Sequence, residues 1–195
     1  MSKFEITEAD LLDYDAYARV RTDWRRKLSA VKKLRRVEVG PFVTFYFENR
    51  LTMWHQIQEM LHIERGGAAQ VPDELAAYNP LVPDGTELSA TFMIEIDEAD
   101  RRKRILGRLG GIEECAFIEI GGQTIKGIPE TDQDRTTAEG KASSVQFVHF
   151  RFSPEQIAAF SALGARAIVG LSHANYSHMA VLPEAVRSEL SGDFD

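Results

Sequence analysis

The sequence predicts an α+β fold: a mostly antiparallel sheet with an N-terminal helical portion and packed amphipathic helices. Three observations lead there. Two segments, about residues 15–34 and 50–65, repeat apolar residues at the helical period. Short stretches rich in β-branched and aromatic residues are split by Gly-Pro or Gly-Gly turns. No unit repeats along the chain, and its 195 residues suit one domain, 1–195, with 1–36 a helical, Arg-rich portion.

Taken in order, Thr7 with Asp10 marks a helix cap, and a longer helix follows from about Asp15 to Leu34. Tyr17, Val20, Trp24, Leu28, Val31 and Leu34 form its apolar face. VEV and FVTFYF are strands about the Gly40-Pro41 turn. Asn49 then precedes a helix over 50–65, whose apolar stripe is Met53, Trp54, Ile57, Met60 and Leu61 and which stops at Gly66-Gly67. PDELAAY is a short helix and ELSATFMIEI a strand. Asp97 and Asp100 are expected to cap a basic helix ended by Gly110-Gly111. ECAFIEI-GG-QTIKGI reads as a hairpin, PETDQDRTTAEGK as a polar mobile loop and SVQFVHFRF as a strand. Ser153, Pro154 and Gln156 form a capping box for the next helix. ARAIVGLS is the last core strand, and PEAVRSEL a terminal helix.

Charge divides unevenly along this chain. The whole carries 30 acidic against 23 Lys and Arg residues, a net −7, yet 19–36 holds nine basic residues and only Asp23. A local +8 faces the protein's own carboxylates, an acidic partner or an anionic ligand. Arg21, Arg25, Lys32 and Arg36 share an arc beside the apolar face, whereas Arg26 and Lys33 point further round into solvent. Net acidity disfavours nucleic acid. The start, MSKFEITEADLLDYDAY, is acidic where a secretory signal is apolar, and no apolar run approaches about 18 residues, so the expected location is cytoplasmic and off the membrane. The single Cys115 excludes an intrachain disulfide.

Few motifs carry chemistry. There is no phosphate-binding glycine loop, GxGxxG, HExxH, GxSxG or CxxC. His55, Glu59 and His62 share one helix face, and Glu59-x-x-His62 has the spacing of carboxylate-bridged iron sites, but no second ExxH completes one. The trio lies opposite the apolar stripe, where solvent is the expected neighbour. Glu64 falls on the core-facing side, so its carboxylate requires a partner such as Arg35 or Arg36, or a raised pKa. His149 alternates with Phe147 and Arg151 on the wetter side of a strand or over a shallow pocket. His173 sits where a strand ends, with Asn175, Tyr176 and His178 after it, and Tyr78-Asn79-Pro80 makes a rigid polar corner.

Together, YARVRTDWR, LRRVEVGPFVTFYFENRLTMWHQIQEMLHIER, ELAAYNPLVPDG and SSVQFVHFRFSPEQ resemble the bacterial family known as domain of unknown function 3501 over nearly the whole chain. The resemblance implies that Arg21, Arg25, Arg35, Arg36, Glu48, Asn49, Gln56, Gln58, Glu59, Glu64, Tyr78, Asn79 and His149 are motif positions. It also implies a soluble cytoplasmic protein in a redox or peroxide-related setting, since members are often encoded beside rubrerythrin-like and iron-sulfur oxidoreductase-like proteins. His55 and His62 fall outside the pattern, against a metal site. A charged groove between the two long helices is the structural expectation.

Two functional readings follow. One is an accessory or binding protein, a homodimer with no cofactor, that holds an acidic partner or small anion through Arg21, Arg25, Lys32, Arg35, Arg36, Tyr78 and Asn79. The other is a small redox or hydrolytic enzyme built on Glu59, Glu64, His149 and His173, which requires those groups to converge on one pocket. A purely structural role predicts a broad apolar interface instead.

Overall fold

The computed structural model describes residues 4–131 and 135–194. A 3-10 turn over Glu8–Asp10, capped reciprocally by Thr7 and Asp10, leads into helix α1 (Tyr14–Lys33), whose first turn Asp13 caps by accepting the Ala16 amide at 2.8 Å. Strands β1 (Arg36–Val39) and β2 (Val43–Glu48) pair antiparallel about Gly40. Gly40 has φ +73°, and a Cβ there would lie 2.6 Å from both the His178 ring and the Tyr176 hydroxyl, so only glycine fits. Helix α2 (Arg50–Glu64) starts from the Asn49–Thr52 capping box. Then come α3 (Val71–Tyr78), β3 (Glu87–Ile94), α4 (Ala99–Leu106), β4 (Ala116–Ile120), β5 (Gln123–Lys126), β6 (Ile128–Pro129), β7 (Val145–Arg151), α5 (Pro154–Ser161), β8 (Ala167–His173), β9 (Tyr176–Val181) and α6 (Glu184–Ser191).

The strands make two sheets, ordered β1-β2-β3-β7-β6 and β5-β4-β8-β9, and every described pairing is antiparallel. Alternation along each strand directs Phe45, Phe47, Leu88, Phe92, Val148 and Phe150 of the first sheet into one core with Ile118, Ile120, Val169 and Leu171 of the second. Tyr176 ties the sheets at one edge by donating its hydroxyl to the Val39 carbonyl at 2.6 Å. A separate cluster of Ile6, Tyr17, Met53, Trp54, Ile57, Leu81 and Val82 packs with Phe147 of β7. Phe147 points away from the inter-sheet core, so this cluster fastens the helical layer to the outer face of the first sheet.

The α+β class and the hairpins therefore stand as read from the sequence, and so does the Ser153–Gln156 capping box of α5. Several details differ. Glu98, not Asp97 or Asp100, caps α4 by accepting the Asp100 and Arg101 amides, and the helix ends at Leu106 rather than at Gly110-Gly111. A further strand, β9, follows the ARAIVGLS strand, and β6 takes in Pro129, the first residue of the polar stretch 129–141. Residues 132–134 of the expected mobile loop lie outside the described residues. On α1, Tyr17 and Leu28 are buried while Val20 is exposed, as is Leu34 just past the end of the helix. The contact stripe is narrower than the apolar arc because α1 lies at the outside of the molecule, resting chiefly on α2.

Candidate functional site

The site grows from the way α1 and α2 are joined. His55, Glu59 and His62 do not face solvent as expected; they face α1. Arg21 donates from Nε and Nη2 to the two carboxylate oxygens of Glu59, each at 2.7 Å, and the Tyr17 hydroxyl donates to Oε1 at 2.6 Å. The bidentate Arg21 guanidinium and the Tyr17 hydroxyl outweigh burial and lower the Glu59 pKa from 4.5 to about 2. Burial first, and then the Glu59 carboxylate, push the Tyr17 hydroxyl well above its ordinary range. This latch separates two clefts.

The larger cleft, about 570 Å³, is bounded by Leu11, Leu12, Tyr14, Tyr17, Leu61 and His62, with Arg65 at its edge. The His62 ring stacks on Tyr14 at 4.8 Å and 15°. Arg65 closes α2 in the left-handed conformation at φ 57° and lies over the Tyr14 ring. Gln58 is buried and meets both the amide and the carbonyl of Leu12 at 3.3 Å, fixing the N-terminal segment along the rim.

The smaller cleft, about 310 Å³, is lined by Arg25, Leu28, Ser29, Lys32, Lys33, Arg36, Tyr46 and His55. It contains four cations and no carboxylate. Arg36 is paired with Glu38 at 2.8 Å, and Tyr46 donates to Glu95 at 2.9 Å, outside the cleft. Arg25, Lys32 and Lys33 have no carboxylate partner among the described residues. The helical spacing that groups Arg25, Lys32 and Arg36 is legible in the sequence. Lys33, at the end of α1, is exposed as its helical position implies, and it also lines the rim of the cleft. Burial first, then the Lys32, Arg25 and Arg21 charges, hold the His55 imidazole below its ordinary pKa against an opposing pull from Glu59.

Other expected site residues are engaged elsewhere. Arg35 is turned inward: its guanidinium donates to the Phe47 and Glu48 carbonyls at 3.0 and 3.1 Å and pairs with Glu189 and Asp193. Glu64 meets neither Arg35 nor Arg36; it is exposed at the end of α2 and accepts from Gln70 at 2.7 Å. The difference arises because α2 ends past the edge of its apolar contact. Asn79 grips the Ile6 amide and carbonyl at 2.8 Å, and Tyr78 packs against the helical cluster. His149 is not on a wet face: it is buried between Glu87 at 3.2 Å and Glu130 at 2.7 Å. His173 accepts the Asn175 amide at Nδ1 and donates from Nε2 to the Gly110 carbonyl at 3.2 Å. Glu59, Glu64, His149 and His173 thus occupy four separate settings. No group of three His, Cys, Asp or Glu placed to hold a metal occurs among the described residues.

Glu48, a motif position to which the sequence assigns no role, is buried, and its carboxylate accepts from Thr52 at 2.6 Å and Thr91 at 2.8 Å. Its place on the FEN motif is the signal that points to it, although periodicity alone gives it no role.

Comparison with known proteins agrees with this architecture. The family model described as "Protein of unknown function (DUF3501)" matches residues 5–194. The chain belongs to this family. A crystal structure from Burkholderia pseudomallei, described as a novel protein of unknown function, is 35% identical, with 97% of this chain and 99% of that chain covered at a TM-score of 0.90. No curated protein matches. Among the described residues of this DUF3501 chain, no helix is long and apolar enough to cross a membrane.

Proposed function

We propose that the protein is a binding protein that takes an anionic ligand into the cleft between α1, β1, β2 and the start of α2. One observation carries this reading: Arg25, Lys32, Lys33 and Arg36 converge on a recess with no carboxylate in its wall, in a protein of net charge −7. Of the stripe's cations, Arg21 is paired with Glu59 outside the cleft and Arg36 with Glu38, which leaves Arg25, Lys32 and Lys33 in the cleft without a carboxylate partner among the described residues. Like charges held together raise the free energy of the empty site, and an anion recovers that cost on binding. The recess favours a compact anionic group over a flat acidic protein surface, because its volume is at the lower end of small-ligand sites. No cofactor enters this reading. The homodimer, and the redox or peroxide-related setting implied by the family resemblance, are carried with it.

Calorimetric titration with sodium pyrophosphate at low ionic strength tests the assignment. Arg25→Glu with Lys32→Glu should weaken binding by at least about tenfold, the loss of roughly 1.4 kcal/mol or more. Arg26→Glu, on the outer face beside Asp23, should leave it unchanged. Equal loss in both proteins, or no binding to the wild type, overturns the proposal.

A further inference from the structure

His55 is the anomaly of the basic cleft. It is a lining residue, only 8% exposed, and its Nε2 is enclosed without a hydrogen-bond partner. A polar atom sequestered in this way ordinarily destabilises the fold, so an orphan nitrogen at a recess asks for an explanation. The groups around it supply one. From α1 come Arg21, Arg25, Lys32 and the Tyr17 hydroxyl; Lys33 ends the same helix; β1 brings Arg36, β2 brings Tyr46, and α2 itself brings Glu59. Among the charges that act on the ring, Glu59 is the anion, and its two oxygens are occupied by Arg21 and Tyr17; Glu38 and Glu95 stand one residue further out, held by Arg36 and by Tyr46 with Thr44. The Lys32, Arg25 and Arg21 charges oppose a proton on the imidazole. A bound anion reverses that balance.

We infer that the cleft takes a doubly charged oxyanion, of the sulfate or phosphate-ester type, together with one proton from solvent that goes to His55. This rests on the anion reading above and specifies both the ligand's charge and the accompanying proton. A dianion supplies two negative charges against the surrounding cations, enough to change which form of the buried ring is favoured, whereas a halide supplies one. The imidazolium then has two N–H donors in place of one donor and one lone pair. By linkage, proton uptake on binding means tighter binding at lower pH, approaching about tenfold per pH unit while the ring is neutral in the free protein and charged in the complex.

Sulfate is the probe, because it has no titrating group of its own near neutral pH. Titration calorimetry in imidazole chloride and triethanolamine chloride buffers, whose ionisation heats differ, reads the protons taken up per sulfate bound. The expected result is uptake approaching one in the wild type and none in His55→Gln, with sulfate affinity near neutral pH weaker by about tenfold or more in that variant, since it forgoes the coupled proton. Should His55→Gln fold poorly, histidine ring NMR of the wild type replaces it: the ring signal of His55 should titrate at higher pH with sulfate present than with equal ionic strength of sodium chloride. Sulfate binding without proton uptake, or with equal uptake in His55→Gln, overturns the role of His55 and leaves the anion cleft standing. Absence of sulfate and pyrophosphate binding overturns both.

Discussion

Arg21 and Glu59 meet side-on, with Nε and Nη2 of the guanidinium each 2.7 Å from a different oxygen of the carboxylate. The pair joins the two long helices at the point that separates the aromatic cleft from the basic one. It also removes Arg21 from the ligand-binding stripe to which its helical position assigns it.

That latch predicts a specific acid sensitivity. The Glu59 pKa falls from 4.5 to about 2, so its stabilisation is complete above the unfolded value and is lost as pH drops toward the folded one. After allowance for solvent screening, Glu59→Gln should cost about 2 kcal/mol at neutral pH. The gap between wild type and variant should close between about pH 5 and pH 2, measured by urea unfolding across that range. A gap that stays constant would show that Glu59 contributes through packing alone.

His149 should give the opposite pH dependence. Burial alone would lower its pKa, but Glu87 and Glu130 outweigh burial and raise it above 6.5. The stabilisation is therefore full below the unfolded value and is lost as pH rises through the folded one. Thermal unfolding of the wild type relative to His149→Asn should show the wild-type advantage shrinking above about pH 6.5. An advantage that grows with pH would mean that the ring is neutral when folded.

Arg35 should be a stability residue rather than a binding residue. Its guanidinium is 2% exposed and holds the end of β2 to Glu189 and Asp193 near the C-terminus. Arg35→Ala should cost about 3–5 kcal/mol in denaturant unfolding, and Arg35→Lys should recover little, because an ammonium cannot reproduce the planar fork. Pyrophosphate affinity of the folded fraction should not change.

The basic cleft should show the opposite trade. Lys32→Gln relieves repulsion among the cations and should raise stability slightly, by a few tenths of a kcal/mol at low ionic strength. It should simultaneously weaken pyrophosphate binding several-fold. Calorimetry and thermal melts on the same samples measure both, and a variant that loses stability along with affinity would place Lys32 in a structural ion pair.

Much of this was legible before any coordinates. Thr7, Asn49 and Ser153 announce the starts of their elements because capping is local chemistry between residues a few positions apart. The arc of Arg25, Lys32 and Arg36 follows from helical pitch and continues into the first strand. The polar side of α2 was misread for a physical reason. Periodicity shows that one face of a helix is apolar, but not that a second helix will cover the other, and α1 covers His55, Glu59 and His62 with its own Tyr14, Tyr17 and Arg21.

The sequence by itself determined the α+β class, the antiparallel hairpins, the succession of the main helices and strands as far as β8 and the concentration of positive charge in 19–36. These are properties of near neighbours along the chain, set by backbone geometry, turn residues and side-chain period. Tertiary structure alone decided that the strands split into two facing sheets, that Arg21 is spent on Glu59 and Arg35 on the C-terminal segment, and that Lys33 and His55 join the cleft. Those choices depend on which long-range contacts bury apolar area while giving each enclosed charge a partner, and spacing along one helix does not encode them.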